Sequence, residues 1–243
     1  MVGVAVQQGA LKYQGKAKKM FETQNPEQLL VVYKDDATAF NGEKKGTIRG
    51  KGEVNCEMSA LLFQYLESQG VPTHFISQTT PGQMLVKAVT ILPVEVIIRN
   101  VATGSMHKRL GVEEGKVFEQ SVLEFCFKND ALGDPMVNDD HVIVMGWATP
   151  DQLLTIRQLA KKVNDLLKPL MLKAGLTLVD FKMEFGVYQG QVILADEISP
   201  DTCRLWDVKT GKKLDKDRFR QDLGQVEEAY QEVMERMGQV LAE

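Results

Sequence analysis

Between Val179 and Phe185 large apolar and ionisable residues alternate. In an extended strand Val179, Phe181, Met183 and Phe185 share one face, and Asp180, Lys182 and Glu184 share the other. A second acidic pair, Asp196-Glu197, follows after a short turn and an apolar run. Carboxylates interleaved with a lysine suit a hard cation and the phosphates it bridges. The solvated outer face of an antiparallel hairpin presents the same pattern, and the strand alone leaves both readings open. Register bears on the choice. A two-residue turn at Gln189-Gly190 pairs Glu184 with Ala195 and sends Asp196 to the opposite face. A three-residue turn, Gln189-Gly190-Gln191 with Gly190 left-handed, pairs Glu184 with Asp196. Facing carboxylates repel unless a cation lies between them. The three-residue turn with Mg²⁺ between the acids is the expectation, and opposite faces would count against it.

Other segments carry chemistry of the same kind. Tyr13-Gln-Gly-Lys-Ala-Lys18 sits in a strand–turn–strand pattern where Gly15 lets backbone N–H groups approach a phosphate and Lys16 and Lys18 add charge. It is not a Walker A loop; it reads as a flap over ATP or as a lysine-rich surface hairpin. Asp35 to Lys45, with a turn at Asn41-Gly42, suits a lid or an ordinary long hairpin loop. Arg99 ends an apolar run and is followed by a small-residue turn containing Ser105, then Lys108-Arg109. Ser199 to Arg204 brings a second arginine just beyond the acidic pair. Two guanidiniums and a hydroxyl make an anion cradle, although surface arginines paired with carboxylates would read alike. Lys128 to Pro135 is polar and turn-rich, either a substrate-binding loop or an Asx-rich connection.

Composition narrows the class. The chain has 243 residues, 44% hydrophobic and 26% charged, with a formal net charge of −4. That balance argues against a nucleic-acid binder held by bulk electrostatics. No apolar run approaches the roughly 20 residues that span a bilayer, and the apolar start, Met1 to Ala10, lacks the basic leader of a signal peptide. Three cysteines without CxxC spacing and three scattered histidines offer neither a zinc site nor a Ser-His-Asp triad. A cytoplasmic enzyme or nucleotide-binding protein fits.

The elements that must position these residues follow from periodicity. Leu11 to Phe21 and Leu29 to Tyr33 are β-prone, and Glu53 to Gln69 is an amphipathic helix stopped by Gly70. Pro72 to Ser77, Met84 to Val89, Pro93 to Asn100 and Leu123 to Phe127 read as strands. Thr149-Pro150-Asp151 starts a helix that Pro169 should kink or end. Asp215 to Leu241 reads as one closing helix capped by Asp215. Strands and helices without regular βαβ alternation predict an α+β fold. Its two lobes would be 1–92, strand-rich with the flap, and 93–243.

Together these segments resemble the SAICAR synthetase family (phosphoribosylaminoimidazole-succinocarboxamide synthases) of purine biosynthesis. The matching stretches are Leu11 to Lys18, Pro93 to Asn100, Gly104 to Gly111, Lys128 to Ala131, Asp134 to Asn138, Leu178 to Gly186, Asp196 to Asp201, Arg204 to Asp207 and Asp215 to Gln221. The resemblance implies two α+β lobes with an ATP cleft between them, distantly like protein kinases and ATP-grasp enzymes. It implies an ATP-dependent ligase that activates the carboxylate of 5-aminoimidazole-4-carboxylate ribonucleotide (CAIR) as an acyl phosphate, which the amine of L-aspartate then displaces. Glu184 and Asp196 would be the Mg²⁺ ligands, and Lys182 with Asp180 the catalytic pair. Gly15, Lys16, Lys18, Lys87, Glu95 and Lys128 would contact ATP, while Arg99, Ser105, Asp134, Arg204 and Arg220 would bind CAIR. Members are often oligomeric, so a homodimer is the implied assembly.

The chain departs from the family at Gly133, where some members carry histidine, at Cys203, where small residues are usual, and at Pro169. From the residues alone, a kinase-like phosphotransferase and a silent nucleotide-binding module stand beside the ligase. The complete Asp180, Lys182, Glu184, Asp196 set speaks against the silent module. Only the resemblance separates the other two.

Overall fold

A computed structural model describes residues 6–39 and 42–242. Most of the apolar start, Met1 to Ala5, and Asn41 of the expected Asn41-Gly42 turn lie outside the described residues. The first β-prone run is a hairpin, β1 (Leu11–Gln14) and β2 (Lys18–Glu22), with Gly15 at its tip donating to the Lys18 carbonyl at 2.9 Å. Then come β3 (Gln28–Tyr33), the small pair β4 (Asp36–Ala39) and β5 (Lys44–Thr47), α1 (Lys51–Ser68), β6 (Phe75–Thr80) and β7 (Gln83–Lys87). The stretch expected to be only a loop therefore contributes β5. Strands β1-β2-β3-β7-β6 form an antiparallel sheet, and α1 packs against β3, β6 and β7.

From Thr90 the chain enters a second sheet. Its elements are β8 (Thr90–Val101), α2 (Gly104–Leu110), β9 (Val117–Phe127), β10 (Met136–Val137), α3 (Asp139–Val144), α4 (Pro150–Lys173), β11 (Leu176–Tyr188), β12 (Gln191–Ala195) and β13 (Cys203–Asp207). The order is β10-β9-β8-β11-β12, with β13 also on β11. Strands β12 and β13 share one edge of β11 end to end: β12 pairs Glu184 to Tyr188 and β13 pairs Leu176 to Phe181. Residues 196–202 leave that edge between them, opposite Lys182, whose N–H donates to Thr202 O at 2.9 Å. This gap builds the site.

The apolar face predicted for β11 is in the core: Phe181, Met183 and Phe185 are buried in one cluster with Val31, Phe63, Met84, Ile98, Ile156 and Val233. Each such side chain contributes about 1.5–3 kcal/mol by burial. The cluster runs through both sheets, and the fold is α+β. No described helix is long and apolar enough to cross a membrane.

Helix α4 begins with a capping box, Thr149 accepting from Gln152 N–H and the Gln152 side chain accepting from Thr149 N–H. Pro169 does not end it. Proline removes an N–H and crowds the carbonyl four residues back, but Asp165 and Pro169 both lie on the exposed face, where water can serve that carbonyl. Leu167, Leu170 and Met171 hold the last turns in the core.

The closing helix is two pieces, α5 (Asp217–Arg220) and α6 (Val226–Leu241). Asp222, Gly224 and Gln225 take positive φ and reverse the chain. The Arg218 guanidinium fastens the break by donating to the carbonyls of Lys213, Leu223 and Gly224 at 3.1, 3.0 and 2.7 Å. Asp215 is not the cap expected of it: Lys216 holds the N-cap position of α5, and the Asp215 carboxylate, one residue earlier, accepts from Asp217 N–H at 2.7 Å.

Candidate active site

The predicted three-residue turn is not formed. Glu184 pairs with Ala195 and Tyr188 with Gln191 across a two-residue turn. Gln189 (φ 49°) and Gly190 (φ 82°) are both left-handed, the hairpin turn whose twist matches the strands. Strand alternation would then send Asp196 to the far face. It does not, because β12 ends at Ala195 and Asp196 itself turns left-handed at φ 63°. Its carboxylate lies 3.7 Å from Lys182 Nζ and is paired with Lys18. The register expectation was wrong, yet both acids reach the same lysine.

Lys182 sits at the centre of this cluster. Its ammonium donates to Glu184 at 2.6 Å and to Glu95 at 3.1 Å. Glu95 and Glu184 are directly opposite on β8 and β11, a pairing of like charges that the lysine between them makes tolerable. Lys128 closes on the other Glu184 oxygen, and Lys18, on β2, also reaches Glu197 at 2.9 Å. Four carboxylates (Glu95, Glu184, Asp196 and Glu197) thus share three ammoniums (Lys18, Lys128 and Lys182). Burial disfavours the charged forms of Lys18 and Lys182, but the facing carboxylates outweigh it and hold both above the ordinary lysine range. Burial likewise opposes ionisation of Asp196, and Lys18, Lys182 and Lys128 overcome it, holding that carboxyl well below its ordinary value. Glu184 is 3% exposed, which excludes a solvated outer face.

At the other end of the same strand face Asp180 lies between Arg99 of β8 and Arg204 of β13, at 2.8 and 2.9 Å. Each Arg99 nitrogen has a partner: beside the Nη1 bond to Asp180, Nε donates to Glu124 at 2.7 Å and Nη2 to Ser105 Oγ at 3.1 Å. Arg109 reaches the second Glu124 oxygen. Arg204 Nε donates to Asp217 at 2.8 Å, and Arg220 joins the other Asp217 oxygen at 2.6 Å. The result is an alternating chain, Arg109–Glu124–Arg99–Asp180–Arg204–Asp217–Arg220, with one cation in excess. A Cβ on Gly104 would lie 2.8 Å from Arg204 Nη2, so glycine there admits the guanidinium.

Both ends open into one cavity of about 1150 Å³. It is lined by Gly15, Lys16, Lys18, Glu95, Arg99, Ser105, Lys128, Asp134, Asp180, Lys182, Glu184, Asp196, Arg204 and Arg220. Lys87 is not among them; its ammonium donates to Thr73 O at 2.8 Å. Lys16 pairs with Asp130 at 2.6 Å, linking the flap to the loop after β9, and Asp134 accepts from Asn129 N–H at 2.9 Å. Gly133 is the left-handed C-cap of the 3₁₀ turn Asp130–Leu132.

The sequence reading named Glu197 beside Asp196 without a role for it, and it missed Glu124, Asp217 and the buried hub Asp201, which binds Lys51 at 3.0 Å, Lys216 at 3.2 Å and Tyr230 Oη at 2.5 Å. Glu124 left a signal, one acid within the apolar run of β9; Lys51 left none. Cys56, Cys126 and Cys203 are free and buried. Burial pushes the Cys56 thiol up to about 12 and Cys126 up to about 11, which withholds the thiolate at neutral pH. Among the described residues no three His, Cys, Asp or Glu side chains gather as a metal cage. Mg²⁺ carried with a nucleotide needs only one or two carboxylates, phosphate and water completing its shell.

The sequence profile of SAICAR synthetase matches residues 11–237. The chain belongs to the SAICAR synthetase family. Its members are ATP-dependent ligases of purine biosynthesis. The chain is 56% identical over 230 residues to the phosphoribosylaminoimidazole-succinocarboxamide synthase of Caldanaerobacter subterraneus subsp. tengcongensis, covering 95% of this chain and 98% of that one. The crystal structure of the Ehrlichia chaffeensis synthase superposes with a TM-score of 0.92 at 45% identity, covering 94% of this chain and 98% of that one. A SAICAR synthetase solved in complex with ADP superposes at 0.90 with 46% identity, covering 93% and 96%.

Proposed function

We propose that this cavity joins L-aspartate to the carboxylate of CAIR, giving SAICAR, ADP and phosphate, through an acyl phosphate. The observation that carries the reading is one strand face with an acid–lysine cluster at Glu184, an arginine chain at Asp180, and Lys182 between. Asp180 and Glu184 are four residues apart, about 13 Å along a strand, a span comparable with an extended ribonucleotide. The arginine end suits the 5′-phosphate of CAIR, with Ser105, Arg204 and Arg220 as direct donors. The lysine end suits the ATP phosphates, beneath a flap that brings Gly15, Lys16 and Lys18. The relative solved in complex with ADP supports nucleotide binding.

Chemically, the γ-phosphoryl group of ATP passes to a carboxylate oxygen of CAIR and ADP leaves. The aspartate amine then attacks the acyl carbon, the bond to phosphate breaks, and the amine proton passes to solvent. Lys18 and Lys182, held protonated by their carboxylates, neutralise charge on the transferring group. Glu184 and Asp196 would hold Mg²⁺, and the surplus carboxylate of their cluster fits a cation. Bound there, Mg²⁺ would supply electrostatic stabilisation of the phosphates. Asp134 would lie by the aminoimidazole and Glu95 by the nucleotide.

We further propose lobes at 1–92 and 93–243, a cytoplasmic location consistent with three free thiols, and a homodimer, which sedimentation velocity reads directly. The activity is tested with ATP, Mg²⁺ and CAIR, with and without L-aspartate. Aspartate-dependent phosphate release with amide formation is expected. Phosphorylated product accumulating regardless of the amino acid would instead make the protein a kinase.

A further inference from the structure

Arg204 and Arg220 line the cavity, and one carboxylate joins them. Asp217 is 2% exposed and accepts from Arg204 Nε on one oxygen (2.8 Å) and from Arg220 Nη1 on the other (2.6 Å). Arg204 Nη1 is held by Asp180, so two acids fix the plane of that guanidinium. Among the described residues no acceptor takes Arg204 Nη2, or Arg220 Nε or Nη2, and these donors remain for a ligand. Asp217 is itself fixed through its backbone. Its N–H donates to Asp215 Oδ1, and the other Asp215 oxygen accepts from Leu205 N–H at 2.8 Å. Leu205 follows Arg204 on β13, so Asp215 clips the strand carrying one arginine to the turn carrying the other. Burial opposes ionisation of Asp217, but Arg204 and Arg220 outweigh it and hold the carboxyl below its ordinary value.

We propose that Asp217 is a positioning residue for substrate: it sets the Arg204 and Arg220 guanidiniums side by side as one receptor for the phosphate of the ribonucleotide. The inference rests on the ribonucleotide reading of the arginine end given above. A guanidinium recognises phosphate through a planar fork of donors. Two forks must be held at a set mutual angle to share one phosphate, and a buried carboxylate with one oxygen for each arginine does this. Asp217 need not touch the ligand.

Asp217→Asn tests this, because the amide keeps one acceptor oxygen and turns an N–H₂ group toward the other arginine. KM for CAIR should rise about 10-fold or more, the scale of one lost charge-assisted pair, with kcat and the ADP dissociation constant little changed. The preference for CAIR over its nucleoside lacking the 5′-phosphate, measured as competing inhibition constants, should narrow by a similar factor. Asp217→Glu keeps the charge but lengthens the stem that sets the two guanidiniums, so it should also narrow the preference, which keeps the test open should Asp217→Asn fold poorly; an unchanged preference there would overturn the proposal. Equal weakening of ADP and CAIR would mean a merely structural role and overturn the proposal. An unchanged preference in Asp217→Asn, with Arg204→Ala raising KM for CAIR, would also overturn it and leave the ribonucleotide reading standing. If Arg204→Ala changes neither quantity, the reading and the inference fall together.

Discussion

Asp196 decides how the acidic cluster works. It stands one residue beyond β12, in a left-handed conformation that L-residues adopt at a cost of about 1–2 kcal/mol. Ion pairs to Lys18 and Lys182 offset that strain and bring the carboxylate to the Glu184 side of the sheet. Replacing Glu184 by Gln or Asp196 by Asn keeps the shape and removes the charge that balances the lysines and would bind the cation. Either change should cut turnover about 10²-fold or more, on the order of 3 kcal/mol of transition-state stabilisation. Circular dichroism and thermal unfolding serve as the check on folding, and near-wild-type turnover in either variant would remove that residue from the metal site. The alternation of Asp180, Lys182 and Glu184 was legible in the sequence because strand periodicity is a local property. The approach of Asp196 was not: it depends on one residue's backbone angle and on Lys18, distant in the chain.

At the level of elements, the segment joining β13 to α5 carries the sharpest pH signature. Burial raises the Asp215 carboxyl from its ordinary 3.8 to about 7, and the charge of Asp217 adds to the effect. A raised folded-state value means that the folded chain binds the extra proton. This contribution to stability is fully present below about pH 4 and is lost as pH rises through about 7. The difference amounts to about 4 kcal/mol across that window. Asp215→Asn removes the titration, so the stability of the wild type minus that of the variant should fall by several kcal/mol between pH 4 and pH 8 in urea unfolding. A pH-independent difference would show that folding does not hold Asp215 protonated as its burial implies. Sequence patterning located the start of α4, with Thr149 as its N-cap and Pro150 in its first turn, because caps and helical periods are local. It overextended the closing helix: Gly224 was a break signal passed over, while Asp222 and Gln225, which share the left-handed turn, are not glycines and do not announce it. It also ended α4 at Pro169 too readily, because a proline on a solvated face costs less than its type suggests.

Across the whole molecule, the two sheets meet around one cavity and one continuous core. The cavity balances its cations almost one for one, three ammoniums with four carboxylates at one end and four guanidiniums with three at the other, so in a chain of net charge −4 the proposed phosphates would be held by placed donors rather than by a broad positive field. The α+β class was legible from the irregular succession of strands and helices. The convergence of β2, β8, β11 and β13 on one strand face was not, because pairing partners such as Lys18 and Asp196 lie 178 residues apart. The identity of the reaction came from whole-chain likeness to a family, since acid–lysine clusters serve kinases and ligases equally. The measurement that separates them most directly follows oxygen. A single turnover with CAIR labelled with ¹⁸O in its carboxylate, ATP and L-aspartate should place one labelled oxygen in inorganic phosphate for each SAICAR formed, leaving the other in the amide. Unlabelled phosphate released alongside SAICAR would contradict the acyl phosphate and the account built on it.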